Sequence, residues 1–204
     1  MQLIFILETD NKSQSDFMYI NSTIHKFYKI EGHKVTPIFT GGKGNFNKVE
    51  SQIKKYKSKY SGNSIVYICY DVDNQIKPTY KLNDEIEKYA CNKGYKTIWF
   101  NEDIEQAYIK TSMPNSEKTK RAKEFINHNE IYNVNIISLS QKNVSMKCSS
   151  NILFELDKVL KRNKWFYRLC EIINLLYKLL IFCCIIAEDS NIFKKWIILN
   201  VILV

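Results

Sequence analysis

The sequence lacks most of the short motifs that would assign a chemistry by themselves. Its six cysteines include no C-x-x-C pair, which argues against a zinc site. It has no Gly-x-x-x-x-Gly-Lys-Ser/Thr segment, so a Walker-type nucleotide-binding loop is excluded. The three histidines have no spacing typical of a catalytic triad. A functional site must therefore be sought among residues that are far apart in the chain.

The first residues also lack the features of a secretory signal. Residues 1–7 have no basic n-region and no signal-like cleavage site. Scattered cysteines without a disulfide pattern are typical of a reducing compartment. We therefore expect free thiols and a cytoplasmic location.

The chain is basic, with a formal net charge of +9 over 204 residues. A basic surface favours polyanions such as nucleic acid or anionic lipid. The sequence is also rich in Lys, Asn and Ile, a bias that AT-rich coding alone produces. The charge is therefore consistent with a nucleic-acid partner but does not decide it.

Short apolar runs predict four buried strands, at 3–7, 35–39, 65–70 and 97–100. Helical patterns lie between them, at about 16–28, 46–60 and 82–93. This alternation predicts right-handed β-α-β units. The expected fold class is α/β, a Toprim-like Rossmannoid parallel sheet of about four strands flanked by helices.

The second half of the chain is less regular. Its patterns predict helices at 116–127 and 151–161 and a strand at 134–139. We assign residues 1–140 to the α/β domain and residues 141–204 to a helical, apolar C-terminal extension.

Two stretches of this extension, 172–187 and 196–204, are very apolar. Each is shorter than the roughly 20 residues that a membrane-spanning helix needs. We therefore favour a helical pair that packs on the domain or on a partner. A membrane anchor formed by residues 172–204 is the alternative.

Acidic residues follow three of the four predicted strands. They are Glu8 after the first, Asp71 and Asp73 after the third, and Glu102, Asp103 and Glu105 after the fourth. Ligands of open α/β sheets bind at the carboxyl ends of the strands, so these side chains are expected to converge. Carboxylates at close range raise each other's pKa unless a cation compensates them. The pattern predicts a site for Mg²⁺ or Mn²⁺, which prefer oxygen ligands.

The spacing of Asp71 and Asp73 supports this interpretation, because residues two apart in a strand point the same way. Solvated loop residues or helix caps are the alternative for such a pair. The glycine-rich turn Gly41-Gly42-Lys43-Gly44 lies between a strand and a helix. It is expected either to bind phosphate through its backbone N–H groups or to be a turn with an exposed lysine.

Taken in order, these motifs resemble the Toprim domain, and within it the RloB-like and OLD-type branch of bacterial phage defence. The segment Ser15-Asp16-Phe17-Met18-Tyr19 is similar to the Thr-Glu-x-x-Tyr that opens the first helix of that branch. The resemblance extends over residues 1–108, including the Asp-x-Asp strand. Thr9 stands where the family has Gly, and Asp16 stands where it has Glu.

The resemblance implies a Mg²⁺- or Mn²⁺-dependent nuclease that serves as an abortive-infection effector. Glu8, Asp71 and Asp73 would be catalytic, and the metal ligands would be these three with Asp16 and Glu105. Lysines beyond the glycine turn would bind the DNA or RNA backbone. A separate ABC-type ATPase would be the partner.

The departure at Thr9 keeps a second hypothesis open. In that hypothesis the chain is a non-catalytic Toprim-like module that binds a partner or nucleic acid. The third hypothesis is the membrane-associated protein anchored by its apolar C-terminus.

Overall fold

A computed structural model of the chain describes residues 1–72, 77–144 and 146–163. Asp73 and the apolar stretches 172–187 and 196–204 lie outside the described residues. One compact unit extends from Met1 to Lys161. Within the described ranges, no helix combines the length and apolarity that crossing a bilayer requires.

Strands and helices alternate along this unit. The strands are β1 Gln2–Leu7, β2 Lys34–Phe39, β3 Ser64–Asp71 and β4 Lys96–Phe100. The α-helices are α1 Ser15–Phe27, α2 Glu50–Ser58, α3 Lys77–Lys93, α4 Ile104–Ile109, α5 Asn115–Asn127 and α6 Ile152–Asp157. Short 3-10 helices occupy Lys43–Asn45, Glu130–Asn133 and Ser138–Ser140.

The four strands form one parallel sheet in the order β2-β1-β3-β4. This confirms the predicted α/β class with a parallel sheet flanked by helices. The chain leaves β1 toward β2 on one side and then crosses back to β3 on the other. The strand order therefore reverses between β1 and β3, and open α/β sheets bind ligands at such a switch point.

Helices cover both faces of the sheet. One face packs Ile4, Ile6 and Ile68 against Ile53 of α2 and Ile86 of α3 in a single buried cluster. Alternate residues of a strand point to opposite faces, so the fully buried Leu3 and Phe5 belong to the other face. Right-handed crossovers in opposite directions place α1 on the face opposite α2 and α3.

Helices α4 and α5, which follow β4 in the chain, pack together with α1. The Tyr19 ring of α1 lies 5.2 Å from the Tyr108 ring and 4.8 Å from the Phe125 ring, measured between centroids. The hydroxyls of Thr23 and Tyr108 are hydrogen-bonded at 2.6 Å. This packing orients α5 so that Lys118, in its first turns, reaches the carboxyl end of the sheet.

The side edge of the sheet at β4 is closed by the segment that leads into α6. The Trp99 N–H donates to Oδ1 of Asn151 at 2.9 Å, and Nδ2 of Asn151 donates to the Thr97 carbonyl at 3.1 Å. The Ser150 hydroxyl donates to the Trp99 carbonyl at 2.7 Å. Side chains thus replace the hydrogen bonds that a further strand would make.

The strand predicted at 134–139 is wrong. The segment forms turns and begins the 3-10 helix Ser138–Ser140. Oδ1 of Asn135 accepts a hydrogen bond from the Ser138 N–H at 3.1 Å, a local bond that competes with a strand ladder. Ile137 is 62% exposed, so the apolar residues here do not share one buried face.

Candidate functional site

The carboxyl ends of β1 and β3 meet at the switch point. Glu8 directly follows β1, and Asp71 is the last residue of β3. The Asp71 N–H donates a hydrogen bond to Oε1 of Glu8 at 3.0 Å. The structure therefore brings together two of the predicted site residues, which the parallel pairing of β1 with β3 places side by side.

An open pocket of about 370 Å³ lies at this end of the sheet. Its wall includes Glu8, Thr9, Asp16, Gly42, Asp71 and Lys118. Three predicted carboxylates thus share one pocket with the glycine-rich turn. Asp73, the third predicted ligand from the strand ends, lies outside the described residues.

Asp16 enters the pocket from the first turn of α1. The Ser15 hydroxyl donates to its Oδ1 at 3.3 Å. Burial and the negative charge of Glu105 raise the pKa of Asp16 to about 6, against the opposing charge of Lys118. Asp16 thus shares the pocket wall with Glu8 and Asp71.

The pKa of Asp71 is raised as well. Its burial, followed by the charges of Glu8 and Asp16, raises the pKa of Asp71 well above its ordinary value. Neighbouring carboxylates oppose each other's ionisation in this way when no cation lies between them. A divalent cation in the pocket would lower both pKa values and favour the ionised carboxylates.

The predicted ligand Glu105 lies in α4 and is completely buried. Its Oε2 is 2.8 Å from Nζ of Lys118, which also lies 3.7 Å from Oδ2 of Asp103. Asp103 additionally caps α4, because its Oδ1 accepts the Gln106 N–H at 2.8 Å. Glu105 is thus paired with a lysine that itself lines the pocket.

Sequence patterns gave no signal for Lys118. It is one of three lysines on α5, with Lys120 and Lys123. Only 18% of the Lys118 side chain is exposed, whereas Lys120 is 81% exposed. The helical period of α5 turns Lys118 inward, but its partner Glu105 is identified only by the packing of α5 against α4 and α1.

The glycine-rich turn forms one wall of the pocket. Gly41 and Gly42 have φ angles of 66° and 148°, which side chains rarely adopt. The Gly41 N–H donates to the Thr9 carbonyl at 3.2 Å, and the Lys43 ammonium donates to the Asp71 carbonyl. These bonds tie the turn to the ends of β1 and β3, and phosphate binding by Gly41, Gly42, Lys43 and Gly44 stays a prediction.

Comparisons of the chain with protein-family models, with curated proteins and with solved structures found no match. The chemistry of the pocket is therefore inferred from its own residues. The pocket atoms that could bind a cation are the carboxylate oxygens described above and Oγ1 of Thr9. That hydroxyl oxygen is buried and has no hydrogen-bond partner among the described residues.

These oxygens fit a hard divalent cation. Among the described residues, no three His, Cys, Asp or Glu side chains are arranged as a complete ligand set. Mg²⁺, however, commonly keeps several water ligands and binds through only one or two carboxylates. Glu8 and Asp71, which line the same pocket as Asp16, are the two carboxylates that could hold such an ion.

Proposed function

We propose that the chain is a Mg²⁺- or Mn²⁺-dependent nuclease that hydrolyses phosphodiesters of nucleic acid. The observation that carries this proposal is the pairing of Glu8 with Asp71 at the switch point of a parallel sheet. The open pocket around them, with Asp16 in its wall, offers an anionic oxygen surface to a cation.

In this proposal Glu8 and Asp71 hold the cation, with Asp73 as the further ligand predicted from the sequence. The bound cation would polarise the phosphodiester and stabilise negative charge on its oxygens. Glu8 would also exchange a proton with the attacking water or the leaving oxygen. The Asp71 N–H fixes the direction of its carboxylate for that role.

Helix α2 supplies a basic surface for the substrate. Lys48, just before it, and Lys54 and Lys55 within it are exposed, and α2 follows the glycine-rich turn in the chain. Lysines on such a surface contact the phosphate backbone and read no sequence. We therefore expect binding of DNA or RNA with little sequence preference.

The biological setting that we propose is bacterial phage defence by abortive infection. The support for it is the order of motifs shared with the RloB-like and OLD-type Toprim proteins. The same resemblance supports a separate ABC-type ATPase as the partner and a cytoplasmic site of action.

The decisive experiment incubates the purified full-length chain with labelled single- and double-stranded DNA and RNA in Mn²⁺ or Mg²⁺. It is run with the chain alone and with any ABC-type ATPase encoded beside it. We expect metal-dependent cleavage that EDTA stops and that Glu8→Gln and Asp71→Asn abolish. Glu85→Gln, an exposed carboxylate change on α3, is the matched control and should cleave normally.

Cleavage that persists in Glu8→Gln would show that another site or a contaminating nuclease is responsible. If the wild type cuts none of the substrates with either metal, and the variants still give normal phage protection in cells, the nuclease proposal fails.

A second candidate function is a non-catalytic module that binds nucleic acid or a partner. The observation in its favour is that Lys118 already compensates part of the acidic cluster. In this case metal addition would change nothing, whereas charge reversal of the α2 lysines would weaken nucleic-acid binding.

A further inference from the structure

The acidic end of the sheet contains a cation of its own. Lys118 lies 2.8 Å from Oε2 of Glu105 and 3.7 Å from Oδ2 of Asp103, and it lines the pocket that Glu8 and Asp71 share. The ammonium group thus contacts the carboxylates of Asp103 and Glu105 and also forms part of the pocket wall.

The ion pair of Glu105 and Lys118 is largely buried. None of the Glu105 side chain is exposed, and within the part of the chain that the structure describes its Oε1 has no hydrogen-bond partner. A carboxylate in such surroundings stays ionised only when a charge partner is held close. Burial lowers the pKa of Lys118, but the hydrogen bond and charge of Glu105 raise it by more, so the lysine is cationic.

Glu105 and Lys118 differ in their exposure to solvent. Glu105 is shielded from solvent, whereas Lys118 is 18% exposed and forms part of the pocket wall. A divalent ion that enters the pocket therefore meets the ammonium of Lys118 rather than the carboxylate of Glu105. Glu105 is in this arrangement the anchor of Lys118.

We propose that Lys118 takes the place of a second cation in the pocket, and that Glu105 positions this lysine instead of ligating metal. The pocket then accepts one divalent ion, at Glu8 and Asp71. This inference rests on the proposed metal site and specifies how many ions it holds and which residues define that number.

The physical reason is repulsion between like charges. A divalent ion and an ammonium a few ångströms apart repel each other with an energy that changes affinity by about tenfold, even in a solvated pocket. Removing the ammonium should therefore admit a second ion or tighten the first. Replacing it with another cationic side chain should leave the number of bound ions and their affinity unchanged.

The test measures Mn²⁺ binding by calorimetry and by electron paramagnetic resonance for the full-length chain and its variants. Lys118→Met is expected to bind a second equivalent of Mn²⁺ or to bind the first about tenfold more tightly. Lys118→Arg keeps the charge and should bind as the wild type does. Lys120→Met removes an exposed lysine from the same helix and is the matched control.

Lys118→Met leaves Glu105 buried without its partner and so risks unfolding. The double variant Glu105→Gln with Lys118→Met replaces the ion pair by two neutral side chains and avoids that cost. We expect it to bind Mn²⁺ more tightly than the wild type, because the lysine lines the pocket and the glutamate does not. Weaker binding by the double variant would identify Glu105 as a ligand and overturn the inference.

The outcomes also separate this inference from the proposed function. Equal Mn²⁺ binding by the wild type, by Lys118→Met and by the double variant would overturn the inference and leave the proposed metal site unaffected. Binding by these variants but not by the wild type would support the lysine as the resident cation and contradict a metal-dependent nuclease. No binding by any of the proteins would overturn both.

Discussion

The backbone N–H of Asp71 is hydrogen-bonded to the side chain of Glu8 across 3.0 Å, and the two residues are 63 positions apart in the sequence. The bond connects the last residue of β3 to the residue after β1. It fixes where the Glu8 carboxylate lies, because one of its oxygens is held by the backbone of the neighbouring strand. Glu8→Gln keeps an acceptor for this bond, so it tests the charge of Glu8 with little change in structure.

Divalent cations should stabilise the folded chain at neutral pH. A ligand that binds only the native state adds about 2.7 kcal/mol when its concentration is 100 times its Kd. We expect the Tm of the wild type to rise by several degrees in 10 mM Mg²⁺ or Mn²⁺ relative to EDTA, measured by scanning calorimetry at pH 7.5. Asp71→Asn should lose most of this rise, and Glu85→Gln should keep it. An equal rise in all three proteins would indicate nonspecific binding of the ions.

Asp16 should make stability depend on pH in the absence of metal. Its pKa is raised from 3.8 to about 6 in the folded chain, so the folded state holds this proton more tightly than the unfolded state. Its contribution is therefore fully present below about pH 4 and is lost as the pH rises through about 6. Asp16→Asn should be more stable than the wild type at pH 7.5, by at most about 3 kcal/mol, and nearly equal at pH 4.

The measurement is urea unfolding of both proteins at pH 4, 5, 6 and 7.5 in EDTA. A stability difference that does not change across this range would show that Asp16 ionises normally in the folded chain. Saturating Mg²⁺ should remove the advantage of Asp16→Asn, since the wild type gains a cation that the variant holds less well.

Asn151 should contribute to stability through both ends of its amide. Asn151→Ala leaves the buried Trp99 N–H and the Thr97 carbonyl without these partners. An unsatisfied buried backbone group costs about 1–3 kcal/mol, so we expect a loss of about 2–4 kcal/mol in the free energy of unfolding. Chemical denaturation checks this, with the exposed Asn127→Ala as control; a loss below about 0.5 kcal/mol would mean that water replaces both bonds.

Nucleic-acid binding should depend on α2 more than on the acidic pocket. Lys54→Glu with Lys55→Glu should weaken binding at least tenfold and reduce its salt dependence, because two phosphate contacts are lost. Lys81→Glu with Lys88→Glu makes the same charge change at exposed positions of α3 and should matter less. Fluorescence anisotropy at several salt concentrations checks this, and equal losses in both double variants would assign the effect to net charge alone.

Comparison of the two charge-reversed variants with Asp71→Asn distinguishes the two candidate functions. In a nuclease, Asp71→Asn should bind nucleic acid about as well as the wild type and fail to cut it. In a non-catalytic module, Asp71→Asn should behave as the wild type in every assay, and only the α2 variant should lose function.

The sheet was predictable because its strands are continuous apolar runs separated by amphipathic stretches. Residues such as Ile4, Phe5 and Ile68 are buried whichever face they point to, and such a pattern requires helices on both faces. The proximity of Glu8 to Asp71 was also predictable, since both lie at the carboxyl ends of strands in one parallel sheet. Which strands are neighbours had to be assumed, and the structure shows that β1 and β3 are paired.

The remaining features depend on packing that no local pattern records. The helical period of α5 places Lys118 on the side of the buried Ala122 and Phe125, but its pairing with Glu105 results from how α5 lies against α4. The residues 134–139 have the apolar content of a strand, but the Asn135 side chain binds the backbone of Ser138 and forms a turn. Local hydrogen bonds of this kind override apolar content.

The closure of β4 by Ser150 and Asn151 has a consequence for how the protein meets other chains. A partner cannot lengthen the sheet by adding a strand at that side without first displacing two side chains and the turn that holds them. On the opposite side, Pro37 removes one backbone donor from β2. Both features disfavour the binding of a partner by strand addition.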